Sequence, residues 1–212
     1  MLYERRLESI RCIVYIRGEL YLFYAIKKFR IILSDVTSFV KCSLSLKSFE
    51  TLDFCYNKKS YAFCVQPFVD SIFYMGGRLN AEEINSEDSV RAKKTCFVFD
   101  VNTKTWKKVC SMNNRRVNAA SAVFEGRVLI CGGFNMNGDY NTVEAYDHVA
   151  HEWAKMPNMV YGRHDHKLVT TRNRLFAIGG SLDNANEVYD SFCKKFVVLK
   201  QRPKTFFGHR SF

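Results

Sequence analysis

Long hydrophobic runs, prolines and paired cysteine motifs are all scarce in this 212-residue chain. It holds 3 prolines and no Ser- or Gly-rich linker, so nothing in the composition divides it into unrelated domains. The greasiest stretch, IRCIVYIRGELYLFYAI, is broken by Arg11, Arg17 and Glu19, short of the roughly 20 apolar residues a membrane helix needs. It fits neither a membrane span nor a signal peptide. The 8 cysteines form no CxxC pair; Cys12, Cys64, Cys96 and Cys131 sit inside apolar, strand-like runs, where a free thiol behaves as a small hydrophobe. A reducing compartment, cytoplasm or nucleus, is the expectation. The formal net charge of +11 is not concentrated. Its basic doublets, such as Lys58–Lys59, Lys107–Lys108 and Lys194–Lys195, are scattered, with no accompanying aromatic-and-basic RNA motif, which argues against a nucleic-acid partner.

What is present is apolar material, 47% hydrophobic and 15% aromatic, enough for a folded core. It is arranged in repeats. SIFYMGG, VLICGG and RLFAIGG each drive an apolar run into a glycine pair: Gly76–Gly77, Gly132–Gly133 and Gly179–Gly180. The intervals are 56 and 47 residues. A degenerate copy, ELYLFYA, places Tyr24 and Ala25 where the glycines belong, 52 residues upstream of Gly76–Gly77. Aligning on the glycines brings Asp100, Asp147 and Asp190 into register, each followed six residues later by an aromatic: Trp106, Trp153 and Phe196. Arg116 and Arg163 each follow a tryptophan by ten residues and precede a glycine pair by sixteen.

Alternation and turn residues resolve the best unit into four strands: HKLVT, RLFAIGG, EVYDSF and FVVLK. Four short antiparallel strands make a sheet that buries both faces only by stacking on its neighbours, the logic of a propeller blade. The expected fold is therefore all-β, an incomplete β-propeller. Its units fall at about 10–52, 60–110, 116–157 and 163–200, with 204–212 beginning another. The glycine pairs supply positive φ and close approach, the aspartates cap the turn between third and fourth strands, and the aromatics fill the gaps between blades.

This order of features, with MNNRRVNAASAVFEGRVLICGG and MPNMVYGRHDHKLVTTRNRLFAIGG, resembles the kelch repeat, and specifically the kelch-like proteins that carry BTB and BACK domains upstream. The resemblance is strong from about Phe73 to Pro203 and weak before it, where Phe49 is the nearest stand-in for the first unit's tryptophan. It implies a ring normally closed at six blades, whereas about four units are found, so open blade edges are expected to self-associate. Nothing in the sequence corresponds to a BTB or BACK domain.

The resemblance also implies a non-catalytic interaction module without cofactor or metal. Its protein partner would be a substrate of a cullin-RING ubiquitin ligase, with the cullin held through domains outside these residues; the alternative is actin. The histidine pair His164 and His166 would share one strand face, but no ligand partner recurs beside them. Loops at 78–95, 134–142 and 181–186 are expected to gather on one face of the propeller. Candidate partner contacts there are Arg116, Asn118, Arg163, Asp165, Asn137, Asp139, Asp183 and Asn184. The two arginines would either form a positive rim for acidic segments or satisfy backbone carbonyls between blades. Asn118 and Asp165, two residues further on, are expected to point to the same face as their arginines.

Overall fold

The computed structural model describes residues 9–25, 38–43, 48–52, 60–79, 92–135, 137–181 and 186–199. Among them there is no helix; the chain forms four antiparallel four-stranded sheets in chain order. The first holds β1 (Ser9–Ile16), β2 (Glu19–Ala25), β3 (Ser38–Ser43) and β4 (Ser48–Leu52). The second holds β5 (Ser60–Phe68), β6 (Ser71–Leu79), β7 (Cys96–Asp100) and β8 (Thr105–Val109). The third holds β9 (Ala120–Phe124), β10 (Arg127–Cys131), β13 (Val143–Asp147) and β14 (Glu152–Met156). The fourth holds β15 (Lys167–Thr170), β16 (Arg174–Ile178), β17 (Glu187–Asp190) and β18 (Lys195–Val198). The segment expected to be a plain loop at 134–142 instead carries a two-stranded hairpin, β11 (Phe134–Asn135) and β12 (Gly138–Asp139). Residues 204–212, assigned from sequence to a further blade, lie outside the described residues.

The second and third sheets each bury alternate residues against a different neighbour, so their central strands are apolar on both faces. In β10, Val128 and Ile130 join Phe73, Met75, Cys96 and Tyr146 in the core between the second and third sheets. Leu129 and Cys131 turn the other way and meet Leu175, Ala177 and Tyr189 of the fourth. A third core, richer in rings, joins Tyr21, Phe23 and Phe39 to Ile72, Tyr74 and Phe99. The repeated aromatic serves the same purpose in each unit, packing toward the preceding sheet: Trp106 half-buried in the core between the first and second sheets, Trp153 in that between the second and third, Phe196 in that between the third and fourth. The Trp153 indole N–H also donates to the Cys110 carbonyl at 3.2 Å, satisfying the one polar atom the ring carries inside.

The turns follow the repeat as closely. Asp100 Oδ1 accepts from the N–H groups of Asn102 and Thr103, Asp147 Oδ1 from Val149 and Ala150, and Asp190 Oδ1 from Phe192 and Cys193. Those backbone donors hold the Asp100 and Asp147 carboxyls below the usual range. Each turn then closes on a non-glycine residue with positive φ: Lys104, His151 and Lys194.

Candidate functional site

The face where consecutive blades are joined is organised by the glycine pairs. Gly132 has φ +61° and Gly133 φ +84°, and the Gly133 N–H donates to the Arg163 carbonyl at 2.8 Å. A Cβ on Gly132 would strike that same carbonyl and the His166 ring, so both conformation and space demand glycine. Gly77 repeats the contact by donating to the Arg116 carbonyl at 2.9 Å, and a Cβ on Gly76 would lie 2.8 Å from that oxygen. Past the third pair, Ser181 donates to the His164 carbonyl, and a Cβ on Gly180 would come 2.5 Å from it. In the first sheet β2 runs on through Tyr24 and Ala25, which pair with Ile10 and Ser9 of β1 beyond a register shift between Ile10 and Cys12, while Tyr24 also pairs with Ser38 of β3.

Arg116 and Arg163, expected among the partner contacts, are not on the surface: both side chains are wholly buried in ion pairs. Arg116 places Nη2 2.8 Å from Glu144 Oε1, and donates through Nη1 to the carbonyls of Gly132 and Thr142 and through Nη2 to Thr142 Oγ1. Glu144 in turn accepts the N–H groups of Asn113 and Asn114 from the segment entering the third sheet. Burial alone would raise the Glu144 carboxyl; the Arg116 charge and these hydrogen bonds outweigh it and hold the group below its ordinary value. Arg163 repeats the arrangement with Glu187 at 2.6 Å and the Gly179 carbonyl at 3.0 Å, while Glu187 accepts from the N–H groups of Val160 and Tyr161. These arginines staple the blade-linking segment to its own sheet. A guanidinium without exposed area offers no rim for an acidic segment, so that expectation is corrected.

The two glutamates are residues that sequence reasoning missed. Their signal was present: Glu144 and Glu187 stand three places before the repeated Asp147 and Asp190. In the second unit both halves of the pair are replaced together, by Ser60 at the arginine position and Phe97 at the glutamate position.

Two residues beyond each buried arginine the backbone takes an unexpected form. Asn118 and Asp165 have φ of 51° and 54°, and Ala62, their counterpart in the second unit, has φ 57°. The three are linked by backbone: Asp165 N–H donates to the Asn118 carbonyl, and Asn118 N–H to the Ala62 carbonyl, each at 3.0 Å. Alternation along an extended strand presumes negative φ, so the left-handed residue breaks it. Asp165 is exposed and Asn118 half-buried, while their arginines are enclosed; they do not share a face. The same break separates the histidines: His166 is buried and His164 remains partly open. His166 is pushed down to about 3 by desolvation, with Arg163 adding to the effect.

Around Asp165 the structure gathers a polar cluster. Asp139, at the end of the β11–β12 hairpin, accepts from Ser181 Oγ at 2.6 Å and contacts His164 Nδ1 at 2.8 Å, and His164 Nε2 lies 3.6 Å from Asp165 Oδ2. The Phe134 ring covers His164 at 4.9 Å between centroids. A Cβ on Gly162 would come 2.6 Å from the Asp139 carbonyl, so the hairpin lies directly on the segment linking the third and fourth sheets. Asn137 is exposed at the hairpin tip. Asp183 and Asn184 fall outside the described residues, as does most of the loop at 78–95. Among the described residues, no group of three or more His, Cys, Asp or Glu side chains is placed to hold a metal ion.

A family model described as "Kelch motif" matches residues 115–160, which span the Arg116–Glu144 staple, Gly132–Gly133 and Trp153. A Kelch repeat and BTB domain-containing protein of Caenorhabditis elegans is 36% identical over 127 residues, covering 56% of this chain and 22% of that protein. The Kelch repeat-containing protein kel-10 of the same organism is 37% identical over 121 residues, 53% of this chain and 21% of its own length. Kelch-like protein 40 of Xenopus tropicalis is 29% identical over 116 residues, 55% of this chain and 18% of its own. The matched part thus spans about a fifth of each relative. With glycine pairs, aspartate turns and inter-blade aromatics recurring through antiparallel four-stranded sheets, the chain is an incomplete kelch β-propeller of the kind found in kelch-like proteins.

Proposed function

We propose that this chain binds a protein partner over the face that carries Asn118, Asp139, His164 and Asp165, and performs no chemistry on it. The observation that carries the reading is the linked row Ala62, Asn118 and Asp165. The backbone is held in one conformation by inter-blade hydrogen bonds while the side chain differs in each unit. A rigid scaffold with exchangeable side chains is what recognition requires. The carboxylates of Asp139 and Asp165, with Tyr161 and Val160 exposed on the adjoining linker, suit a partner segment that offers lysine or arginine beside apolar residues.

By its likeness to kelch-like proteins, the partner would be a substrate brought to a cullin-RING ubiquitin ligase, in the cytoplasm or nucleus, with the cullin bound through BTB and BACK regions. The test compares wild type with an Asn118→Ala, Asp165→Ala double variant in quantitative pull-downs from lysate. Ala62 shows that alanine is accepted at this backbone position. Loss of a defined set of partners at unchanged melting temperature, with ubiquitin-ligase components co-captured by BTB-containing protein, is the expected result. Identical partners in identical amounts would refute the assignment of this face, and co-sedimentation with actin filaments would replace the ligase reading with a cytoskeletal one.

A further inference from the structure

Tight turns close one end of the second, third and fourth sheets, between first and second strands and between third and fourth, while the links between blades and the cluster around Asp139 and Asp165 lie at the other end. In the fourth sheet these two turns are unlike the rest. The β15–β16 turn leads into β16 with Arg172 and Arg174, the β17–β18 turn carries Phe192, Lys194 and Lys195, and all five side chains are exposed, Phe192 at 92%. Ser191 Oγ donates to the Asn173 carbonyl at 3.2 Å and holds one turn against the other. Asp190, between Arg174 and Lys195 in the register, has Oδ1 engaged by the N–H groups of Phe192 and Cys193. None of the four cations is ion-paired with a carboxylate among the described residues.

The fold does not demand these side chains. At the positions of Arg172, Arg174, Lys194 and Lys195 the third sheet has Glu125, Arg127, His151 and Glu152, and the second has Val69, Ser71, Lys104 and Thr105. The tip occupied by Phe192 is Val149 in the third sheet and Asn102 in the second. Val149 is 80% exposed although its sheet has a neighbour on either side, so the tip projects past the stack and its exposure is set by the turn itself. A phenyl ring standing in water amid cations therefore answers to something outside the chain. Lysine is depleted at protein–protein contacts, and a protein partner would have to bring a pocket to this convex tip. An anionic bilayer needs neither concession, because basic side chains settle among its headgroups while an aromatic enters the acyl boundary. We propose that the β15–β16 and β17–β18 turns dock on an anionic phospholipid surface, with Phe192 inserted and Arg172, Arg174, Lys194 and Lys195 against the headgroups. The contact is peripheral and reversible, and it turns the face with Asp139 and Asp165 away from the bilayer.

The experiment floats the full chain with vesicles of phosphatidylcholine, either alone or with about 30% phosphatidylserine. Two variants use residues that other units accept at the same positions: Phe192→Asn follows Asn102, and the double variant Arg172→Glu, Lys195→Glu follows Glu125 and Glu152, with melting to confirm folding. Wild type is expected to float with the anionic vesicles alone and to be released at about 0.5 M salt, where headgroup charge is screened. The double variant should bind at least about thirtyfold more weakly, from its two lost attractions alone, and Phe192→Asn about tenfold more weakly. The emission of a Phe192→Trp variant should shift to the blue on anionic vesicles and stay fixed on neutral ones. Wild type that ignores anionic vesicles, binding that survives the double variant, or equal binding by Phe192→Asn each overturns the proposal. So does a patch that binds a polyglutamate peptide but no vesicle, which would make it a site for an acidic protein. Should the double variant not fold, Lys194→Gln with Lys195→Gln removes two cations without reversing them.

Discussion

Replacing Glu144 by leucine tests how the blade-linking segments are held. The side chain has no exposed area and accepts from Arg116 Nε and Nη2 and from the backbone N–H groups of Asn113 and Asn114. Glu144→Leu leaves the Arg116 guanidinium buried without its counter-charge, though still bonded to the Gly132 and Thr142 carbonyls. Breaking one side of a buried pair costs roughly 3 to 5 kcal/mol. Set against a total stability of about 5 to 15 kcal/mol, that is most of the margin at the lower end of the range and a readily measured part of it at the upper end. The reciprocal change, Arg116→Met, strands a carboxylate that keeps its amide donors and is expected to cost about 3 kcal/mol, near the lower bound for such pairs. The double variant removes both charges, as Ser60 and Phe97 do in the second unit, and should cost less than the sum of the singles by about 2 kcal/mol. Urea denaturation followed by circular dichroism gives all three values. A Glu144→Leu loss below about 1 kcal/mol, or strict additivity in the double variant, would show that the pair is not the staple described. The pH dependence has a definite sign. Because the folded Glu144 carboxyl lies below its unfolded value, its contribution is complete above about pH 4.5 and is lost as pH falls through the lowered folded value.

Trp153→Ala should cost roughly 3 to 5 kcal/mol in urea melts, since it empties an inter-blade core and leaves the Cys110 carbonyl without its donor; a change under about 1 kcal/mol would mean the core closes without it. Gly132→Val should abolish soluble, cooperatively folding protein, because the residue sits at φ +61° against the Arg163 carbonyl; wild-type yield and melting would contradict that packing. His166 folds with a value depressed to about 3 from about 6.5, so its contribution is full above about pH 6.5 and is lost progressively between pH 6.5 and 3. By pH 5 linkage puts the loss at about 2 kcal/mol, and His166→Phe should remove that part of the slope; identical pH profiles for the two proteins would exclude His166 as its source.

The glycine pairs, the aspartates and the aromatics six residues after them were legible in the sequence because each answers a local demand repeated in every unit. A turn needs its amide groups capped, a strand end needs positive φ, and a two-faced sheet needs bulk toward its neighbour. Spacing along the chain records such demands directly, which is why four sheets could be counted and the blade order stated before any coordinate. The fate of the long polar side chains was a different matter. Arg116 and Arg163 recur at one repeat position, and recurrence alone is compatible with a binding rim or with a buried staple. The decision rests on Glu144 and Glu187, which lie 28 and 24 residues away and come within 3 Å only when the sheet is assembled. Likewise, alternation predicted that Asn118 and Asp165 would follow their arginines. The inter-blade hydrogen bonds that hold them at positive φ join residues of different sheets, and no local pattern encodes a bond between partners brought together by stacking. Sequence therefore determined the blade and its repeat, through demands that recur at a fixed place in every unit; tertiary structure decided which polar groups are sealed between units and which are left for a partner, because burial is a property of the stack and not of the strand.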